Sequence, residues 1–199
     1  MSSPGERLRA LTERAVTSRE EVAAFLDGLS AGDRINAVRA CGGSTIQRRL
    51  YELGAGAPPV TVDQLVPPDH APLREVIYHG KNSLPAFTHF QKRFCRPMPG
   101  PASDQLWGYN HTSIAWLVGP GYFVVHKEGD APAAIDYRQV PPSHPASWPA
   151  IKANNVGASY FVFRDMVDYL RRVSQHVMIG RATRHGAELP SYFLLCREG

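Results

Sequence analysis

Residues 159–198, SYFVFRDMVDYLRRVSQHVMIGRATRHGAELPSYFLLCRE, decide the fold. The pattern predicts a strand over Tyr160–Phe163. The apolar residues that follow recur at helical spacing, which favours a helix over about 164–175. The alternative is a hairpin that pairs Val167–Val173 with Val177–Thr183 and places Asp168 opposite Arg181 as a cross-strand ion pair. The local pattern leaves this choice between helix and strand open.

The middle of the chain is the clearest β region. Over residues 105–140, aromatic and β-branched runs are separated by strong turn signals, at Gly119-Pro120-Gly121 and in EGDAP at residues 128–132. Strands at this spacing indicate an antiparallel sheet or a barrel. Arg74–Asn82 also alternates as a strand does, whereas the three phenylalanines of Leu84–Arg96 suit either a helix or a strand.

The chain before the β region has a different organisation. Residues 1–56 show helical spacing with good capping signals, such as Ser18 followed by Glu21, and predict a helical arm or lid. Residues 57–73 are rich in proline and predict a linker with one short strand at Val60–Leu65. We therefore expect three parts: helices over 1–56, a linker over 57–73 and a barrel-like domain over 74–199.

The chain resembles an uncharacterised bacterial family with a lipocalin-like barrel, which is named for a GXWXG motif. The resemblance rests on the pattern of His79–Glu198 and on Gln91-Lys92-Arg93-Phe94, which stands where that family has a GKRF-like segment. At the naming motif, Val76 replaces the first glycine and Tyr78 the tryptophan. The resemblance implies strands in residues 159–198. Together with the β-rich middle of the chain and the helical pattern of residues 1–56, it predicts an α+β fold, mainly an antiparallel lipocalin-like β-barrel or strongly curved sheet after a short helical region. It implies no catalytic residue.

Composition excludes several classes of function. The net charge is +4, but the basic residues are dispersed rather than clustered, so we expect no nucleic-acid partner. The three cysteines have no metal-site spacing, and we expect no metal and no cofactor. The N-terminus lacks a signal-peptide core and no run is long enough to span a membrane, which predicts a soluble, cytoplasmic protein without a membrane partner.

A barrel of about eight strands has room for one small ligand. Polar and aromatic residues on the predicted strands would line such a cavity if they pointed inward. Histidine titrates near neutral pH, so His111 and His126 are the predicted catalytic pair. The predicted ligand-binding residues are aromatic or cationic: Tyr78, Trp107, Tyr109, Trp116, Tyr122, Arg138 and Arg164.

Two hypotheses for the function follow. The first is a barrel that binds an apolar or aromatic small molecule, either as a carrier or as a small cofactor-free enzyme of the cyclase or isomerase type. The second is a protein-interaction module, in which the N-terminal helices dock a partner and the β domain is the scaffold. A homodimer through those helices is also expected. The sequence does not choose between carrier and enzyme.

Overall fold

The computed structural model describes residues 2–86, 88–126 and 133–199. Its centre is a closed barrel of eight antiparallel strands, in which each strand pairs with its neighbours in sequence and the last pairs with the first. This confirms the predicted barrel with helices at the N-terminus. The predicted turn at 128–132 and Phe87 lie outside the described residues.

The strands follow one another as a meander. Their bounds are β1 Val76–Asn82, β2 His89–Cys95, β3 Leu106–His111, β4 Tyr122–His126, β5 Ala134–Asp136, β6 Met166–Arg172, β7 Val177–Arg184 and β8 Ala187–Arg197. The helix-or-strand choice at Leu84–Arg96 is thus settled as a strand. Residues that pair across two strands point to the same face, so Tyr78 and Lys92, which are opposite each other, both point into the barrel.

The decisive C-terminal stretch completes the barrel wall. Strands β6, β7 and β8 confirm the strand interpretation, but Tyr160–Phe163 is not a strand: residues Ser159–Phe163 form a short helix, called α7 below. The predicted ion pair between Asp168 and Arg181 is also wrong, because Asp168 pairs with Ala182 and Tyr169 with Arg181. This shift of one residue turns Asp168 towards the interior.

Glycines make room for aromatic rings inside the barrel. A Cβ atom at Gly180 of β7 would collide with the ring of Phe193, and one at Gly108 of β3 would collide with the ring of Phe123. Both rings cross over the neighbouring strand at these positions. The strands therefore need glycine there so that large side chains can fill the barrel.

Four helices cover one side of the barrel. They are α1 Pro4–Glu13, α2 Arg19–Asp27, α3 Ala31–Ala40 and α4 Ser44–Leu53, and α1 and α2 begin with capping boxes at Ser3 and Ser18. Their apolar faces share one core with the outer faces of β7 and β8, which includes Leu8, Leu26 and Leu50 from the helices and Ile179 and Leu194 from the strands. A short 3₁₀ turn, Gly54–Gly56, follows α4.

One end of the barrel is closed by a short helix. Residues Val62–Leu65 form α5, not the predicted strand, because Thr61 and Gln64 make a reciprocal capping box. The carbonyl of Leu65 accepts a hydrogen bond of 3.0 Å from the hydroxyl of Tyr78, which lies inside the barrel. This end is therefore filled by side chains. The predicted division of the chain into helices, a linker over 57–73 and a barrel-like domain stays a prediction.

Candidate functional site

The opposite end of the barrel contains a cavity of about 340 Å³. Its mouth is bordered by α7 and by another short helix, α6 (Ala115–Val118), which touch each other because Ser159 Oγ donates a 2.7 Å hydrogen bond to the carbonyl of Val118. The walls are mostly apolar and include Phe90, Val118, Phe163, Met166, Ala182 and Phe193.

Four polar side chains meet at the inner end of this cavity. Lys92 of β2 donates hydrogen bonds from Nζ to Asn110 Oδ1 of β3 at 3.0 Å and to Asp168 Oδ2 of β6 at 3.2 Å. It also contacts the hydroxyl of Tyr137, which follows β5. Only 3% of each charged side chain is exposed. We call these four residues the inner polar cluster.

Aromatic rings surround the ammonium group of Lys92. Its Nζ lies 4.9 Å from the ring centroids of Tyr137 and Phe193, 5.1 Å from that of Phe123 and 5.7 Å from that of Phe90. A cation gains favourable electrostatic interaction with the faces of such rings. The rings also exclude water from the ion pair.

Burial shifts the titration of this cluster. The low polarity around Lys92 lowers the pKa of its amine, although Asp168 opposes the shift. Burial likewise raises the pKa of Asp168, against the effect of Lys92, and raises that of Tyr137 well above its ordinary value. Both shifts of the ion pair favour the uncharged forms, and the pair has no net charge in either proton arrangement.

One atom of the cluster has an unfilled hydrogen-bonding capacity. Asp168 Oδ1 is buried and makes no hydrogen bond within the described part of the chain. By contrast, both polar side-chain atoms of Asn110 have partners. Its Oδ1 accepts from Lys92, and its Nδ2 donates to Tyr137 Oη at 3.1 Å and to the carbonyl of Gly121 at 3.2 Å. A buried acceptor without a partner is costly, so Asp168 Oδ1 is the atom of the cluster whose hydrogen-bonding capacity stays unused.

Most aromatic residues predicted to bind a ligand lie on the outer face of the barrel. Trp107, Tyr109 and Tyr122 form a core with Trp148 and Cys95, which we call the outer aromatic cluster. The ring centroids of Tyr109 and Trp148 are 4.9 Å apart. Trp148 also donates a 3.0 Å hydrogen bond from Nε1 to Glu75. The segment after β5 covers these side chains.

The predicted catalytic histidines also lie outside the barrel. His111 shares the outer face of β3 with Tyr109 and borders a shallow groove of about 270 Å³ with His79, His89 and Arg39. Partial burial and the nearby Arg93 lower the pKa of His111. His126 ends β4 on the outer face, opposite Ala134. The inward orientation on which the two predicted roles depend is absent, and the roles themselves stay predictions.

The remaining predicted residues are dispersed. Trp116 is on α6 near the mouth, with 80% of its surface exposed. Arg138 binds Asp136 on the outer face, and Arg164 is half-exposed beside Asp165. Tyr78 is inside the barrel but at its closed end, where it packs against Phe94.

The inner polar cluster was not predicted as a site. The neighbouring residues Lys92 and Arg93 are on opposite faces of β2, and only Arg93 is on the outside. The alternation along β3 did indicate that Asn110 is on the opposite face from Trp107, Tyr109 and His111. Nothing local shows which face is inside.

Comparison with protein-family models found no match to this chain, and neither did searches of curated proteins and of solved structures. Membership of the GXWXG family therefore stays a prediction. Among residues 2–86, 88–126 and 133–199, no group of three or more His, Cys, Asp or Glu side chains is placed to hold a metal ion. No helix in this part of the chain has the length and apolar character needed to cross a membrane.

Proposed function

We propose that the protein binds one small, largely apolar molecule in the cavity of its barrel. The observation that carries this proposal is an apolar cavity of about 340 Å³ that ends on a buried polar cluster. Ligand sites are usually cavities of roughly 300–1,000 Å³ with apolar walls and a few converging polar groups. The short helices α6 and α7 border the mouth and are the elements past which a ligand enters.

The cavity supports this function better than the outer face does. Trp148 packs against Tyr109 and Tyr122 on the outside, so those rings already contact protein. Phe90 and Phe193 are inside the barrel and line the cavity. A neutral aromatic molecule gains contact with these rings and replaces water there.

The test uses N-phenyl-1-naphthylamine, a neutral probe whose fluorescence rises in apolar surroundings. Ala182 lines the cavity, so Ala182→Phe fills it and is expected to weaken binding at least tenfold. The matched control is Ala187→Phe, the same change at an exposed position of β8, which is expected to bind as the wild type does. Equal binding by both variants contradicts the proposal.

A second pair of variants tests the sequence-based site. His111→Ala and His126→Ala change the outer face and are expected to leave probe binding unchanged. If either variant abolishes binding while Ala182→Phe does not, the ligand binds near the histidines and the barrel cavity is not the site. Thermal unfolding of each variant verifies that it is folded.

A further inference from the structure

The charges in the cavity limit what it can bind. Among the described residues that line it, Lys92 is the only lysine, arginine or histidine and Asp168 the only aspartate or glutamate, and they pair with each other at 3.2 Å. A charged ligand would leave one uncompensated charge in an apolar space, which is strongly unfavourable. This holds wherever the proton of the pair lies. The cavity therefore favours a neutral ligand over a carboxylate such as a fatty acid.

The unfilled atom defines the polar group of that ligand. Asp168 Oδ2 accepts from Lys92, whereas Asp168 Oδ1 has no partner in the described chain. A proton that moves along the hydrogen bond between Lys92 Nζ and Asp168 Oδ2 leaves Oδ1 an acceptor in both arrangements. Only a hydrogen-bond donor can satisfy it, so an ether or a ketone cannot.

The surrounding rings define the rest of the ligand. The ring of Phe163 is stacked on that of Tyr137, with centroids 5.3 Å apart, and both line the cavity beside Asp168. Flat aromatic or other apolar groups pack well against such a wall. The volume of about 340 Å³ suits one or two fused rings rather than a long chain.

We propose that the barrel is selective for a neutral aromatic or apolar alcohol, such as a phenol, whose hydroxyl donates a hydrogen bond to Asp168 Oδ1. Lys92 then acts as a positioning residue, because it holds the other carboxylate oxygen and cancels its charge. This inference depends on the proposed function, since it requires the cavity to be the binding site.

Four compounds with the same ring system separate the parts of the proposal: naphthalene, 2-methoxynaphthalene, 2-naphthol and 2-naphthoate. Calorimetric titration of the wild type is expected to show 2-naphthol binding about tenfold more tightly than 2-methoxynaphthalene, since a hydrogen bond to a charged group is involved. The anionic 2-naphthoate is expected to bind most weakly.

The variant Asp168→Asn is expected to reverse the preference for neutral over anionic ligands. This change leaves Lys92 as an uncompensated cation, so 2-naphthoate is expected to become the tightest of the four ligands. Asp165→Asn is the matched control, because it removes a carboxylate of the same segment that does not line the cavity. This control is expected to keep the wild-type order of affinities.

If Asp168→Asn does not fold, a double variant provides an alternative test. Lys92→Met with Asp168→Leu replaces both charges by apolar groups of similar size, which proteins often tolerate. It is expected to bind naphthalene but to bind 2-naphthol and 2-methoxynaphthalene equally. If this variant still binds 2-naphthol more tightly than 2-methoxynaphthalene, the proposed role of Asp168 is wrong.

The outcomes distinguish this inference from the proposed function. If the wild type binds 2-methoxynaphthalene as tightly as 2-naphthol, or binds 2-naphthoate best, the inference is wrong and the binding cavity remains. If N-phenyl-1-naphthylamine binds but none of the four compounds does, the ligand class is also wrong. If neither the probe nor any of the four binds, the proposed function fails together with the inference.

Discussion

The inner polar cluster and the outer aromatic cluster are built from the same strands but have opposite properties. On β3, Tyr109 belongs to the outer cluster and the next residue, Asn110, to the inner one. On β2, Arg93 is outside and binds Glu75, while Lys92 is inside and binds Asp168. Neighbouring residues therefore differ in solvent access, charge environment and role because side chains alternate across the barrel wall.

The two clusters also differ in how they are completed. The outer cluster is closed by protein: Trp148 fills it, and the hydroxyl of Tyr122 donates to the carbonyl of Pro149. The inner cluster borders a cavity and leaves Asp168 Oδ1 without a partner in the described residues. We infer that the outer cluster supports stability and the inner one supports binding, a distinction that the following variants test.

The largest effect is expected from breaking the buried ion pair. Asp168→Ala leaves Lys92 as an unpaired buried charge, so the free energy of unfolding is expected to fall by about 3–5 kcal/mol. Chemical denaturation of the variant and the wild type measures this. The double variant Lys92→Met/Asp168→Leu serves as the control and should stay close to the wild type. A loss below about 1 kcal/mol for the single variant would show that water reaches the pair.

The next effect separates stability from binding. Trp148→Ala removes the side chain that covers Tyr109 and Tyr122 on the outer face, and is expected to cost about 3 kcal/mol of unfolding free energy. Binding of N-phenyl-1-naphthylamine should not change. Trp116→Ala is the matched control, because that exposed tryptophan should contribute less than about 0.5 kcal/mol. Loss of probe binding in Trp148→Ala would contradict the separation of the two clusters.

The smallest effect is expected at Asp136, whose contribution to the free energy of unfolding should depend on pH in the opposite sense to that of Asp168. Burial tends to raise the pKa of Asp136 on the outer face, but hydrogen bonds from the side chain and the backbone N–H of Arg138 outweigh it and lower the pKa below 3.8. A lowered pKa in the folded state stabilises the protein above pH 3.8, and this contribution disappears as the pH falls through the lowered value.

Asp136→Asn should therefore reduce the free energy of unfolding at pH 6 by about 1 kcal/mol or less, since Arg138 is half-exposed. The difference from the wild type should shrink as the pH falls below 4. Denaturation at pH values from 3 to 6 measures it. A difference that grows towards acid pH would mean that the pKa of Asp136 is raised, as that of Asp168 is.

Much of the fold could be predicted because strands and turns have local signals. The alternation in residues 105–140 led to the correct antiparallel arrangement, although the predicted run before Gly119-Pro120-Gly121 is a strand only as far as His111 and then forms the helix Ala115–Val118. Short segments were less predictable: Val62–Leu65 and Ser159–Phe163 contain residues typical of strands but form helices. In such short elements, caps and neighbouring contacts outweigh the intrinsic preferences of the residues.

The candidate site was harder to predict than the fold. The sequence correctly grouped Trp107, Tyr109 and His111 on one face of a strand, but that face is outside. Aromatic residues are common both in a binding cavity and under a covering loop. Without knowledge of the covering segment around Trp148, neither face of β3 could be assigned to the interior.

The sequence by itself determined the capped N-terminal helices and the β character of the middle of the chain, because these depend on periodicity and on turn chemistry over a few residues. Only the tertiary structure decided which face is inside and which polar residues meet. Lys92, Asn110, Tyr137 and Asp168 are on four strands or their ends, and a register shift of one residue would turn Asp168 outward. Closure of the barrel sets that register, and with it the site.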